Sequence, residues 1–334
     1  MKTLHLLKIA FFFLLFTAGC TDHDIPEPDI LTSEEFVGDL VTPFGVTKGE
    51  GDNLWVTEVG TGENDGQVSL ITPDGAVYPA IVGFTSEISE EEGLPDGLTH
   101  LKYKDGKLYI VQGRGGFLYI VDVSGFEPGD APIQASTLSS ENIGQFVLDH
   151  DFIIDTGESH LYNLTWGIDG DLFFTDAAAN AIIRRKANGD LSVFSEFPQF
   201  PNSTGVGPPM VDFVPTGITY DGTKFLVSAL SGFPFVEGNA AIYQLNAAGT
   251  PSLYKSGYTM LTDITLTPSN SPLVIQFAQF SPATGFAPNT GKVSDGNGIA
   301  LLENIMMPTD IERTGDKTYF MVSSALGKVY KLTY

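Results

Sequence analysis

Leu161-Tyr162-Asn163-Leu164-Thr165-Trp166, then Asp169-Gly170, then Leu172-Phe173-Phe174-Thr175 is the stretch that decides the fold. An opening strand, a tight turn and a second apolar run describe a hairpin, and Asp-Gly suits its turn because that geometry needs positive φ. Five more copies of the unit surround it. Their openings read Pro43-Phe44-Gly45-Val46, Pro95-Asp96-Gly97-Leu98, Pro215-Thr216-Gly217-Ile218, Leu261-Thr262-Asp263-Ile264 and Pro308-Thr309-Asp310-Ile311, so that the six starts lie 52, 66, 54, 46 and 47 residues apart. Their second runs begin at Leu54, Leu108, Phe225, Leu273 and Tyr319. Each copy then adds a third strand that starts on a small residue and a branched one, such as Asn180-Ala181-Ile182 or Gly327-Lys328-Val329, and a fourth after a further turn. A period of this length built from short strands is the pattern of propeller blades, and continuous apolar strands fit blades covered on both faces by their neighbours. The expected fold is therefore all-β: a six-bladed β-propeller of four-stranded blades.

The sixth copy lacks a fourth strand, while the segment 36–41 precedes the first copy with nothing of its own to pair with. This N-terminal segment is expected to supply the missing strand and close the ring, which leaves only short edges unpaired. The repeats occupy residues 36–334 as one domain and leave no room for a second fold.

Residues 1–19 differ in kind. Lys2 and Lys8 flank the start of an apolar run over 9–16, too short to span a bilayer as a helix, which reads as a signal-peptide core. It ends in Thr17-Ala18-Gly19-Cys20, where the chain's single cysteine resembles the acylated residue of a bacterial lipoprotein. With one cysteine there is no internal disulfide. The acidic, proline-bearing segment 20–35 reads as a flexible tether, and acids directly after the lipidated cysteine resemble the surface-export signal of Bacteroidota lipoproteins. These features predict a lipid-anchored protein of the outer membrane or cell surface, periplasmic or secreted if not acylated, touching the membrane only through its anchor.

The chain carries 17 basic and 41 acidic residues, net −24. A surface of that charge excludes electrostatic binding to nucleic acid or to anionic lipid. It suits a soluble, monomeric body whose partner is a small molecule, a glycan or a protein.

The wording of the third copy, Leu172-Phe173-Phe174-Thr175-Asp176-Ala177-Ala178-Ala179-Asn180-Ala181-Ile182-Ile183-Arg184, resembles the ScyD/ScyE family. So do Leu230-Ser231-Gly232-Phe233-Pro234-Phe235 and Phe277-Ala278-Gln279-Phe280-Ser281-Pro282. That resemblance covers nearly all of 43–334 and implies an exported six-bladed propeller without an established reaction. A more distant likeness joins it to the NHL-repeat, gluconolactonase-like and streptogramin-lyase propellers.

In such propellers the long loops gather on one face around the central channel, and here the expected long loops are 59–65, 84–94, 125–160, 197–214, 229–239 and 278–290. Several bear aromatic residues, notably Phe233, Phe235 and Phe280 with Phe277 and Phe286, which either bind an apolar ligand or pack together as a lid. Arg114 in a glycine-rich loop is a candidate to pair with a ligand carboxylate, or with the protein's own acids. His160, at the expected mouth of the channel, is the candidate general base, with His150 as a second candidate; His100 reads as structural.

Just before the branched residue of each opening strand the chain has Gly in copies one, two and four but Asn163, Asp263 and Asp310 in the others. Three oxygen-bearing side chains on one axis could hold a divalent cation such as Ca²⁺, or cap backbone amides between blades. Gluconolactonase-like propellers hold a metal through Glu, Asn and Asp, but their opening glutamate has no match at Phe44. Two functions follow: a ligand- or partner-binding module acting through its loop face, or a metal-dependent, lactonase-like hydrolase or lyase acting in the channel. No serine triad, cysteine nucleophile or phosphate loop is present.

Overall fold

The computed structural model describes residues 25–90 and 93–334, and these form a six-bladed β-propeller. Each blade is a four-stranded antiparallel sheet. The innermost strands are Pro43–Lys48, Leu98–Lys104, Leu161–Trp166, Pro215–Tyr220, Leu261–Leu266 and Pro308–Gly315 in blades one to six. The second strands contain all six apolar runs read from the sequence and are buried along most of their length. They are apolar on both faces because each sheet is sandwiched between two others. Six separate clusters of buried side chains result, one in every gap between neighbouring blades.

A second kind of link runs round the ring. Hydroxyls near the top of one blade donate to a carbonyl of the next: Thr57 to Thr99, Thr99 to Leu161, Thr175 to Thr216, Thr216 to Leu261, Thr262 to Pro308 and Thr309 to Phe44, at 2.5–3.2 Å. Every gap thus carries a hydrogen bond between buried groups, which keeps carbonyls at the inner strands satisfied.

Closure occurs at the N-terminus, with the strand shifted from its expected position. Thr32–Val37, starting four residues before the predicted segment, pairs antiparallel with Lys328–Thr333 and completes blade six. Leu31 and Val37 are the apolar anchors at its ends, 2% and 6% exposed, and the Leu31 N–H donates to the Leu301 carbonyl of blade five. Glu34 and Glu35, assigned to the tether on composition, lie in this strand and face Lys331 and Lys328. An outermost strand has one edge in water and tolerates acids, so its composition resembles a linker. Before it, the Glu27 carboxylate accepts from the hydroxyls of Thr267 and Ser269 in the first turn of blade five.

Blade two departs in register. Leu98, rather than Pro95, occupies the place of Pro43, Leu161, Pro215, Leu261 and Pro308, since each faces the last residue of its second strand before the same bulge. The equivalent unit of blade two is therefore Leu98-Thr99-His100-Leu101. Its outer edge also corrects the expected loop over 125–160. Residues 123–132 lie among the tight turns, Ile133–Gln134 pairs in parallel with the outer strand of blade one, and Ser140–Asn142 forms the fourth strand. Only 143–160, including the short helix Ile143–Leu148, belong to the loop face.

Candidate functional site

The corrected register places His100 in the same inner-strand position as Asn163, Asp263 and Asp310, with Gly45 and Gly217 in the remaining two blades. These four polar side chains are 1–3% exposed and form a hub on the channel axis. The glycines are there because their neighbours use the space. A Cβ on Gly217 would lie 2.5 Å from Asp263 Oδ1, and one on Gly45 would lie 2.8 Å from the His100 Cα.

Each hub side chain has defined partners. The Asp263 Oδ2 accepts from the Ile311 N–H at 3.1 Å and Asp310 Oδ2 from the Val46 N–H at 2.6 Å, so each aspartate caps the following blade. Asn163 Nδ2 donates to Asp263 Oδ1 at 2.8 Å, while its Oδ1 accepts from the Leu164 N–H. His100 Nδ1 lies 2.8 Å from the Tyr162 carbonyl, to which it donates. His100 Nε2 is buried near the Thr309 carbonyl and lies 3.9 Å from Asp310 Oδ2. Donor atoms of His100, Asp263 and Asp310 all lie within 4.8 Å of one another.

Burial lowers the pKa of His100, with the Asp310 charge acting against the shift, and so favours the neutral ring. Burial and then the charge of Asp310 push Asp263 well above the ordinary carboxylate range. One layer further along the axis, Lys102 Nζ meets Glu312 Oε2 at 2.7 Å. Burial opposes the Lys102 charge, but Glu312, Asp310 and Asp263 outweigh it and raise its pKa. On the loop side the rings of Phe44 and Tyr162 pack against His100 at centroid distances of 5.3 and 4.9 Å and against each other at 5.5 Å, covering the hub.

The loop face is organised differently. Phe233 and Phe235 from blade four meet Phe280 and Phe286 from a small hairpin of blade five, with centroid separations of 5.1–6.1 Å, and Phe277 joins through Phe286. The rings pack on each other, yet Phe233 remains 41% exposed. Val206 and Met210, 43% and 38% exposed, sit on a second hairpin beside it, where Gly207 lies so close to the Phe233 ring that a Cβ would come within 2.7 Å. Ile88, Leu94 and Ile153 are further exposed apolar residues in loops of this face. Phe197 and Phe213, by contrast, are buried and stacked at 4.3 Å between blades.

The remaining candidates are paired within the protein. Arg114 Nε lies 3.1 Å from Glu87 Oε2, and His160 Nε2 lies 3.0 Å from Asp96 Oδ1; the backbones of Glu87 and Asp96 pair in turn. His160 is a third exposed and stands at the mouth rather than in the hub. His150 packs between Phe146 and Phe152. Asp176, Asn180 and Arg184 bond to neighbouring loops and turns. Cys20 lies outside the described residues.

His100 is the hub member that the opening motif hides. Its signal is spacing: the inner-strand start lies ten to twelve residues ahead of the second run in five copies, whereas Pro95 lies thirteen ahead of Leu108 and Leu98 ten.

No protein-family model matches the chain, and no curated protein matches it in sequence. Solved structures do share its architecture. A virginiamycin B lyase from Staphylococcus aureus is 16% identical with a TM-score of 0.52, the match covering 91% of this chain and 99% of the lyase. A gluconolactonase from Xanthomonas campestris is 12% identical with a TM-score of 0.55, covering 92% and 90%. An aldose sugar dehydrogenase from Streptomyces coelicolor, solved with PQQ, is 10% identical with a TM-score of 0.56, covering 92% and 99%. At such identities the likeness is one of fold alone: this chain and these neighbours share the six-bladed β-propeller architecture.

Proposed function

We propose that this protein is a binding module, a propeller of the ScyD/ScyE kind tethered at the cell surface through acylated Cys20. It acts as a monomer and holds a small organic ligand, or an apolar part of a glycan or protein partner, on its loop face. The observation that carries this reading is the partly exposed aromatic cluster around Phe233, continued by Val206 and Met210. Apolar side chains that long loops on a rigid scaffold leave partly open to water suit a ligand with an apolar body. The lactonase-like alternative has less support. Its channel carboxylates are buried beneath Phe44 and Tyr162, and His160, its general base, is engaged with Asp96 at the rim.

Titration of the full-length protein with the neutral apolar dye Nile red tests the reading. Saturable binding that weakens in Phe233→Ser and in Met210→Ser is expected; wild-type protein that binds no dye would count against it. For the anchor, Cys20→Ala should move the protein from the membrane to the soluble fraction, and continued membrane association would contradict acylation there.

A further inference from the structure

We propose that the tight-turn face carries a second binding site, a pocket between blades one and two that takes the ammonium head of a small organic cation of the choline type, free in solution. This site is separate from ligand binding on the loop face and stands or falls without it.

The pocket exists because blade two departs from the repeat. Its third strand, Phe117–Asp122, does not turn straight into a fourth. The chain leaves instead along 123–132, crosses to blade one, pairs there through Ile133–Gln134 with Ile81 and Val82, and only then returns as Ser140–Asn142. The crossing segment brings Phe126 against Trp55, with ring centroids 6.1 Å apart, and a cavity of about 220 Å³ lies between the two blades. Trp55, Tyr103 and Phe126 form its aromatic wall. Glu50 and Asn53 from the first turn of blade one, with Glu127 from the crossing segment, supply its polar rim.

Three features of this lining select the ligand. The first is charge without a partner. Glu50 and Glu127 enter no ion pair or side-chain hydrogen bond among the described residues, and Lys48, just ahead of the same turn, is engaged by Asp52 at 2.6 Å and by the Thr314 carbonyl at 2.9 Å. The rim therefore attracts a cation and repels an anion. The second is the aromatic wall. Ring faces attract cations, and clustered rings are a recurrent means of holding quaternary ammonium groups.

The third is a donor left open. Trp55 is 4% exposed, yet its indole N–H has no acceptor among the described residues. A Cβ on Gly49 would lie 2.5 Å from Trp55 Nε1, which places that N–H beside the turn bearing Glu50 and Asn53. An unmet donor in so buried a residue is costly, and a hydroxyl on the ligand satisfies it. Size agrees with this reading. The cavity has room for about seven non-hydrogen atoms at roughly 30 Å³ each, the share of a water in the liquid, and choline is of that size.

The test follows fluorescence in the full-length protein carrying Trp166→Phe, which leaves Trp55 as the single tryptophan, purified in a non-ionic detergent and titrated at low salt. The probes are choline; dimethylbutanol, its uncharged tert-butyl isostere; glycine betaine, which adds a carboxylate; and monomeric dihexanoyl phosphatidylcholine, which presents the same group as a lipid head. Choline should bind saturably. Each of the others should bind at least about tenfold more weakly, the isostere for want of charge and the other two because their anionic groups meet Glu50 and Glu127. Phe126→Ala should weaken choline by about tenfold. Glu50→Gln combined with Glu127→Gln should also weaken it by about tenfold and narrow its advantage over the isostere. If Phe126→Ala does not fold, this double variant of two exposed side chains carries the test. Choline should leave Nile red binding unchanged, so the two sites fail separately. No saturable response to choline by fluorescence or calorimetry, equal affinity for the isostere, or unchanged choline affinity in the folded double variant would each overturn the inference. Phosphatidylcholine binding as tightly as choline would overturn the free ligand in favour of a lipid head group.

Discussion

The hub and the loop face are both departures from one repeat, and they differ in their contact with water. At the hub the charged and polar side chains are 3% exposed or less, while on the loop face Phe233, Val206 and Met210 are 38–43% exposed. Charge is thus placed where water is absent and apolar surface where water is present, the reverse of what each would choose alone. Buried polar groups of this kind are tolerated because they satisfy one another and the backbone, so their loss is felt as stability. Exposed apolar groups add little to folding, so their loss should be felt in binding.

Substitutions can sharpen or break this division. The largest effect is expected at Lys102→Met, which strands Glu312 beside the hub carboxylates. It should cost about 3 kcal/mol in denaturant unfolding, close to the range for breaking a buried pair. Gly217→Ala forces a Cβ against Asp263 and the backbone of Ile264 and should cost about 2 kcal/mol by overpacking. Thr262→Val removes one of the six hydroxyl links between blades and should cost about 1 kcal/mol, measured the same way.

A turn on the opposite face supplies the pH control. Burial would raise the pKa of Asp221, but hydrogen bonds from Lys224 and Thr223 outweigh it and hold the carboxyl well below its usual range. A depressed folded-state value means that its contribution is present above the unfolded pKa of about 4 and is lost as the pH falls further. Asp221→Ala should therefore flatten the acid limb of the stability profile and leave the neutral-pH hub effects unchanged. Phe233→Ser should be the smallest of all in stability, within about 0.5 kcal/mol, while removing dye binding.

Much of this division is legible in the residues. The second runs at Leu54, Leu108, Leu172, Phe225, Leu273 and Tyr319 mark their strands because double-sided burial demands continuous apolar sequence. Asp263 and Asp310 stand out because they replace glycine at one repeated position. His100 is hidden because Pro95-Asp96-Gly97-Leu98 imitates the opening of blade one, and only pairing with the second strand shows that the true start lies three residues later. The closing strand is misplaced for a related reason: Glu34 and Glu35 look like linker until Lys328 and Lys331 are seen beside them. Local composition reports burial well, and reports long-range partners poorly.

The most direct measurement sets the two regions against each other. Thermal midpoint and Nile red affinity are determined together for the full-length wild type, Gly217→Ala and Phe233→Ser, with dye binding read well below the lowest midpoint. Gly217→Ala is predicted to melt lower and bind the dye like the wild type, and Phe233→Ser to melt like the wild type and bind weakly or not at all. Dye binding retained by Phe233→Ser, or lost in folded Gly217→Ala, would contradict the assignment of recognition to the loop face and of ring integrity to the hub.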